Sequence, residues 1–169
     1  PGGWAFQFNN NYYPDVDDTA LVGMFLDRYN KIRKRKAVSD AIERTRKWII
    51  TMQSKNGGWG AFDIDNTHYL LNSIPFADHG ALLDPPTADV SARCLSFLKQ
   101  LNNPKDELFI NKAVHYLLSQ QERDGSWYGR WGTNYIYGTW SVLSALNLVD
   151  FNGKDKVLDK ATNYLKKMQ

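Results

Sequence analysis

The chain has 169 residues, the size of one domain, and at 43% hydrophobic it can bury a real core. Its 21 basic and 18 acidic residues leave a net charge of +3, a small difference that does not point to nucleic acid. One cysteine, Cys94, excludes a disulfide framework and a thiol metal cluster, while six Trp, nine Tyr and eight Phe are too many to be background.

In chain order, Gly2-Gly3-Trp4 comes first and reads as the tail of a repeat set out below. Asp15-Val16-Asp17-Asp18 then puts three carboxylates inside four positions. Acids this close repel when ionised, so one of them should hold its proton above the ordinary aspartate range and serve as a general acid. The same residues also fit a plain helix start, with Asp15 as N-cap and Asp18 three residues on, near the positive helix end. From Thr19 to Leu26 the pattern is apolar nearly all round, which predicts a buried helix. Lys31, Arg33, Lys34, Arg35 and Lys36 follow between two helical patterns. Such a run reads as a solvated loop, with contact to anionic lipid the alternative.

Residues 37–54 form an amphipathic, charged helical pattern that ends in Trp48-Ile49-x3-Gln53-x3-Gly57-x-Trp59. The same spacing recurs in Tyr116-Leu117-x3-Gln121-x3-Gly125-x-Trp127 and begins again in Tyr164-Leu165-x3-Gln169. Each copy reads as a helix ended by a glycine in the left-handed region. A Gln amide would bond exposed backbone there, and a Trp would pack across the turn with its indole N–H seeking an acceptor. With Pro1 first and Gln169 inside a third copy, the chain reads as an internal piece of a longer protein, truncated at both ends.

Residues 60–86 break the repeat. They are too long for an ordinary connection and too apolar for disorder, with Phe62, Tyr69, Leu70, Leu71, Ile74 and Phe76 among them. They read as an ordered loop inserted over the mouth of the fold. Asp84-Pro85-Pro86-Thr87 stops it, with Thr87 predicted to cap the next helix. Val90–Leu98 and Tyr135–Leu148 are again apolar nearly all round, whereas 106–121 and 155–169 are amphipathic. Alternating buried and surface helices predict an all-α fold, an α/α barrel (toroid) of inner and outer helix pairs, incomplete in this chain and forming part of a single domain over 1–169. Every inner helix then starts at the same end. That gathers Asp15, Asp17 and Asp18 with Asp89 and Arg93, an i, i+4 pair, and with the region of Tyr135. Phe6, Tyr12, Tyr13, Phe62, Trp127, Tyr128, Trp131, Tyr135 and Tyr137 lie near these starts. Aromatic faces stabilise a cation and resist reaction with it. No apolar run approaches the roughly 18 residues needed to span a bilayer, and His68, His79 and His115 show no metal spacing.

The chain resembles squalene–hopene cyclases. The matching segments are Gly2-Gly3-Trp4-Ala5-Phe6-Gln7-Phe8, Tyr13-Pro14-Asp15-Val16-Asp17-Asp18-Thr19-Ala20, Gly57-Gly58-Trp59-Gly60-Ala61-Phe62-Asp63 and Ile74-Pro75-Phe76-Ala77-Asp78. Asp84-Pro85-Pro86-Thr87, Asp89-Val90 and Gly125-Ser126-Trp127-Tyr128-Gly129-Arg130-Trp131-Gly132 continue the match nearly end to end. The resemblance implies cyclisation of squalene, or a similar polyprenyl hydrocarbon, to a hopene or hopanol skeleton without cofactor or metal. It implies Asp17 as proton donor to a terminal alkene, tuned by Asp15 and Asp18. Asp89 would belong to the surrounding hydrogen-bond network, and Arg93 stands where some members carry histidine. Phe6 would stabilise a cation, Phe62 occupies a position that is tyrosine in some members, and Trp131 and Tyr137 would line the site. A second barrel, a peripheral (monotopic) seat on the cytoplasmic side of the membrane and a homodimer are implied for the whole enzyme, and the 169-residue piece alone is expected to be inactive.

Other readings stay open on the residues. Tetrahymanol-type and diterpene cyclases share protonation by the aspartate motif. An α/α-toroid glycosidase would use paired carboxylates on water and a sugar. A prenyltransferase-like barrel would need a zinc set for which Cys94 has no partner. A helical repeat used only for binding would leave the aspartates as caps.

Overall fold

The computed structural model describes residues 2–10, 12–74 and 82–169. Two short strands, β1 (Trp4–Ala5) and β2 (Pro14–Asp15), pair antiparallel with Trp4 opposite Asp15. Six α-helices follow: α1 (Val16–Arg33), α2 (Lys36–Thr51), α3 (Ala88–Leu101), α4 (Glu107–Ser119), α5 (Tyr135–Leu146) and α6 (Lys154–Lys167). A 3-10 turn at Tyr69–Ser73 interrupts the long connection before α3, and another at Pro104–Asp106 leads into α4.

The helices form two layers. α3 packs between α1 and α5, and each of these three is backed by the helix that follows it: α2 behind α1, α4 behind α3, α6 behind α5. The core lies between the layers, where Val16, Ile49, Val90, Leu95, Phe97, Leu98, Leu117, Val142 and Leu146 are fully enclosed. The result is a two-layered helical arc, and the described residues do not close it into a ring. The apolar pattern of the inner helices is likewise only partly buried. α3 is covered all round its first turns, but Leu21 and Phe25 on α1 and Ile136 and Trp140 on α5 stay exposed. The reason is position: α1 and α5 flank α3, and each has an inner neighbour on one side only among the described residues.

The repeat supplies the joints. Trp59 and Trp127 are completely buried, and their indole N–H groups donate to the Ile49 and Leu117 carbonyls at 2.7 and 2.6 Å, ten residues back in each case. Their backbone N–H groups donate forward, to Ser91 Oγ on α3 and Thr139 Oγ1 on α5, both at 2.9 Å. Trp4 repeats the forward bond, to Thr19 Oγ1 on α1 at 2.7 Å. Gln53 Nε2 donates to the Gly57 and Phe109 carbonyls, and Gln121 Nε2 to those of Gly125 and Val157, so each Gln ties its own turn to the next outer helix. Gly57 and Gly125 have φ of +93° and +98°. At Gly125 an added Cβ would lie 2.6 Å from the Lys160 carbonyl oxygen, so both torsion and space demand glycine.

The basic run is the last turn of α1 and a two-residue connection. Lys34 takes φ of +49° and its N–H donates to the Asn30 carbonyl, turning the chain directly into α2. Thr87 stands at the N-cap of α3, but its hydroxyl makes no capping bond; it is buried without a partner. Its N–H instead donates to the Trp59 carbonyl, so a backbone bridge fixes the start of α3. Of the 60–86 insertion, Phe76 and the segment Pro75–Asp78 lie outside the described residues.

Candidate active site

The acidic segment sits where β2 passes straight into α1. Asp15 has the extended backbone of an N-cap, and its Oδ1 accepts the Asp18 N–H at 2.8 Å, so the cap reading holds. The Val16 N–H donates to the Ala61 carbonyl at 2.8 Å, which pins the helix start to the loop after Trp59. Asp17 lies between the capping Asp15 and Asp18 in sequence, and its partner comes from another helix. Arg93, in the second turn of α3, donates from Nε to Asp17 Oδ1 at 3.0 Å and from Nη2 to the Tyr137 hydroxyl at 2.7 Å. One guanidinium therefore joins the beginnings of α1, α3 and α5. Asp17 Oδ2 bonds to no described residue and is left for whatever enters the space in front of it.

Burial dominates the electrostatics. It pushes Asp15 up from 3.8 to about 6, against the stabilising Asp18 N–H bond, with the Asp18 and Asp17 charges adding to the rise. Burial also raises Asp17, opposed by Arg93 and aided by the nearby Asp89 and Asp18 charges. Asp18 is raised by burial and held back by Arg93. Mutual repulsion, the cause expected from spacing alone, is thus the smaller contribution. Desolvation works against the charge of Arg93, but Asp17 and Tyr137 outweigh it and the guanidinium is held more firmly charged.

The three acids share a cavity of about 290 Å³ with Phe6, Phe62 and Trp131. The Phe62 ring is packed edge-on by Tyr13, with centroids 6.4 Å apart. Tyr137 does not line this cavity; it reaches the site through Arg93 and packs against Trp140. Asp89 is buried, and its Oδ2 accepts the Trp131 N–H at 3.0 Å. It therefore bonds to an aromatic wall and touches the aspartate motif only through its charge. Trp127 belongs to the buried turn, Tyr12 points to solvent, and Tyr128 and Tyr135 pair with each other. None of these four lines the cavity. Among the described residues, no three His, Cys, Asp or Glu side chains converge as metal ligands.

Two residues near the cavity stand in matched segments but were given no role at the site. Asp84, in the segment that stops the long loop, is buried and takes four donors: the N–H groups of Ala61, Phe62 and Asp63, and Arg130 Nη1 at 2.6 Å. Arg130 in turn lies over the Trp131 ring, 5.3 Å from its centroid. Nothing in the spacing of Asp84 and Arg130, 46 positions apart, announces the pair.

Comparison with known proteins gives the family. The family model described as the squalene-hopene cyclase C-terminal domain matches residues 1–169. The chain belongs to the squalene-hopene cyclase family. A squalene-hopene cyclase of Schizosaccharomyces japonicus is 65% identical over 147 residues, covering 87% of this chain and 22% of the relative. A squalene–hopene cyclase of Zymomonas mobilis is 55% identical over 170 residues, covering all of this chain and 26% of the relative. The chain thus spans about a quarter of the length of the curated relatives it matches. In fold it resembles an ent-copalyl diphosphate synthase from Streptomyces platensis, with a TM-score of 0.70 at 18% identity, over 98% of this chain and 29% of the other. Squalene-hopene cyclase family membership displaces the glycosidase, prenyltransferase and binding-repeat readings. No helix among the described residues is long and apolar enough to cross a membrane.

Proposed function

We propose that this chain is the acid-bearing part of a squalene cyclase, and that Asp17 protonates a terminal double bond of squalene. The observation that carries this reading is Asp17 itself. Its carboxyl is raised by burial, paired on one oxygen with Arg93, free on the other, and set in a cavity walled by Phe6, Phe62 and Trp131.

The chemistry follows from those contacts. An alkene is a weak base, so the donor must be a strong acid that is nonetheless protonated before reaction. Burial favours the protonated form of Asp17, and Arg93 stabilises the carboxylate that remains once the proton has moved to the terminal alkene carbon. The adjacent carbon becomes a tertiary cation. Neighbouring double bonds attack it in turn, forming ring carbon–carbon bonds and passing the charge along the chain. Loss of a proton or capture of water ends the sequence, giving a hopene or a hopanol. The aromatic walls stabilise the early cation without trapping it.

Asp15 holds the first turn by accepting the Asp18 N–H, and the Asp18 charge opposes ionisation of Asp17. Asp15 is the most strongly shifted of the three, but its Oδ1 is engaged as the cap. Asp17 has the freer carboxyl and the cation beside it, so it is the donor in this reading.

The six helices described are read as an arc of an α/α barrel completed by further chain, with the described parts of the 60–86 insertion beside its mouth. The enzyme is read as peripheral on the membrane that supplies its lipid substrate, and as a homodimer. The test is to incubate the full-length protein with squalene and identify products by mass spectrometry. Pentacyclic C30 products support the proposal; unchanged squalene, from folded protein, rejects it.

A further inference from the structure

Resting on the cyclase reading above, we propose that Arg130 and Asp84 are positioning residues that together set the two aromatic walls of the acid cavity. Asp84 is the fixed point. It is buried, and its two oxygens accept three consecutive backbone N–H groups, from Ala61 at 3.1 Å, Phe62 at 2.6 Å and Asp63 at 2.7 Å. A carboxylate cradled by successive N–H groups holds their backbone rigidly. That backbone carries Phe62, and its Ala61 carbonyl accepts the Val16 N–H at the base of the aspartate motif.

Arg130 extends the same fixed point to the opposite wall. Its Nη1 donates to Asp84 Oδ1 at 2.6 Å, while its guanidinium carbon lies over the Trp131 ring, 5.3 Å from the centroid. A guanidinium suits both tasks, because its donors fan out in one plane and its broad delocalised surface covers more of a ring than the single nitrogen of an ammonium. The Trp131 backbone is held separately, by its N–H bond to Asp89. With its backbone tied to Asp89 and its ring to Arg130, the indole has one place to stand. Phe62 and Trp131 thus take their positions from one carboxylate, which also reaches the helix start that presents Asp17. A purely structural ion pair would need only the charge of Arg130. A device that places Trp131 needs the breadth of its guanidinium over the ring.

The test compares Arg130→Lys and Arg130→Met with wild type in the full-length protein. Lysine keeps the charge for Asp84 but loses the guanidinium surface over the Trp131 ring. The expected result is that Arg130→Lys keeps most of the thermal stability yet loses kcat on squalene by about tenfold, with KM little changed; Arg130→Met loses both. Recovery of both stability and kcat by lysine overturns the proposal and leaves an ordinary ion pair. A second readout does not depend on turnover. With 5-fluorotryptophan incorporated, the Trp131 ¹⁹F resonance, assigned by its loss in Trp131→Phe, should move in both Arg130 variants. An unmoved resonance overturns the proposal. If wild type fails to convert squalene while the Trp131 resonance moves in both variants, the cyclase reading fails and the placement of Trp131 by Arg130 stands.

Discussion

Replacing Asp15 by Asn separates its capping role from the cost of its charge. Asparagine caps a helix as well as aspartate does, and its side-chain oxygen can accept the Asp18 N–H that Asp15 accepts now at 2.8 Å. What it removes is the ionisation. Burial raises Asp15 from 3.8 to about 6, so between those values the folded protein binds a proton that the unfolded chain has already lost. Stability therefore falls as pH rises through this window, and the wild type carries the full penalty above about pH 6. The interval from 3.8 to about 6 corresponds to about 3 kcal/mol, of which about 2.5 kcal/mol develops between about pH 4 and pH 8. Denaturant melts of the full-length protein should thus show Asp15→Asn gaining about 2.5 kcal/mol on wild type from pH 4 to pH 8. A difference between variant and wild type that is the same at both pH values, or that shrinks at the higher one, would refute burial as the cause of the shift.

Arg93→Met removes the cation that opposes the burial of Asp17, so the Asp17 pKa should rise further. The basic limb of the pH–rate profile, where the acid loses its proton before reacting, should then move to higher pH while kcat falls about tenfold to a hundredfold; an unmoved limb contradicts the pairing. Gly125→Ala should lower stability by about 2 kcal/mol or more in thermal melts, because its φ is +98° and the new Cβ would meet the Lys160 carbonyl. A loss below about 0.5 kcal/mol there would show that the turn yields easily.

The repeat was the most legible part of the fold because its parts are local. Gln53, Gly57 and Trp59 lie within seven positions, and each bonds within its own turn or to the next helix along. The helix start at Asp15 was legible for the same reason. Burial of α1 and α5 was over-read: their apolar pattern records what the helix is suited to, and only a neighbour can cover it. Thr87 shows the limit of capping rules, since a backbone bridge from Trp59 took over the work of its hydroxyl. At the site, the gathering of Asp17, Arg93 and Tyr137 followed from inner helices that start at one end. The bond from Asp89 to Trp131 and the Asp84–Arg130 pair did not, because they depend on how two loops cross in space. No periodicity encodes that crossing.

Asp17→Asn in the full-length protein removes the one proton on which the proposed chemistry depends while keeping the shape of the side chain. With the melting temperature close to wild type, turnover of squalene should fall by about a hundredfold or more, the usual scale for loss of a general acid. A folded Asp17→Asn protein that converts squalene at a rate within about twofold of wild type would contradict the assignment of Asp17 as the acid.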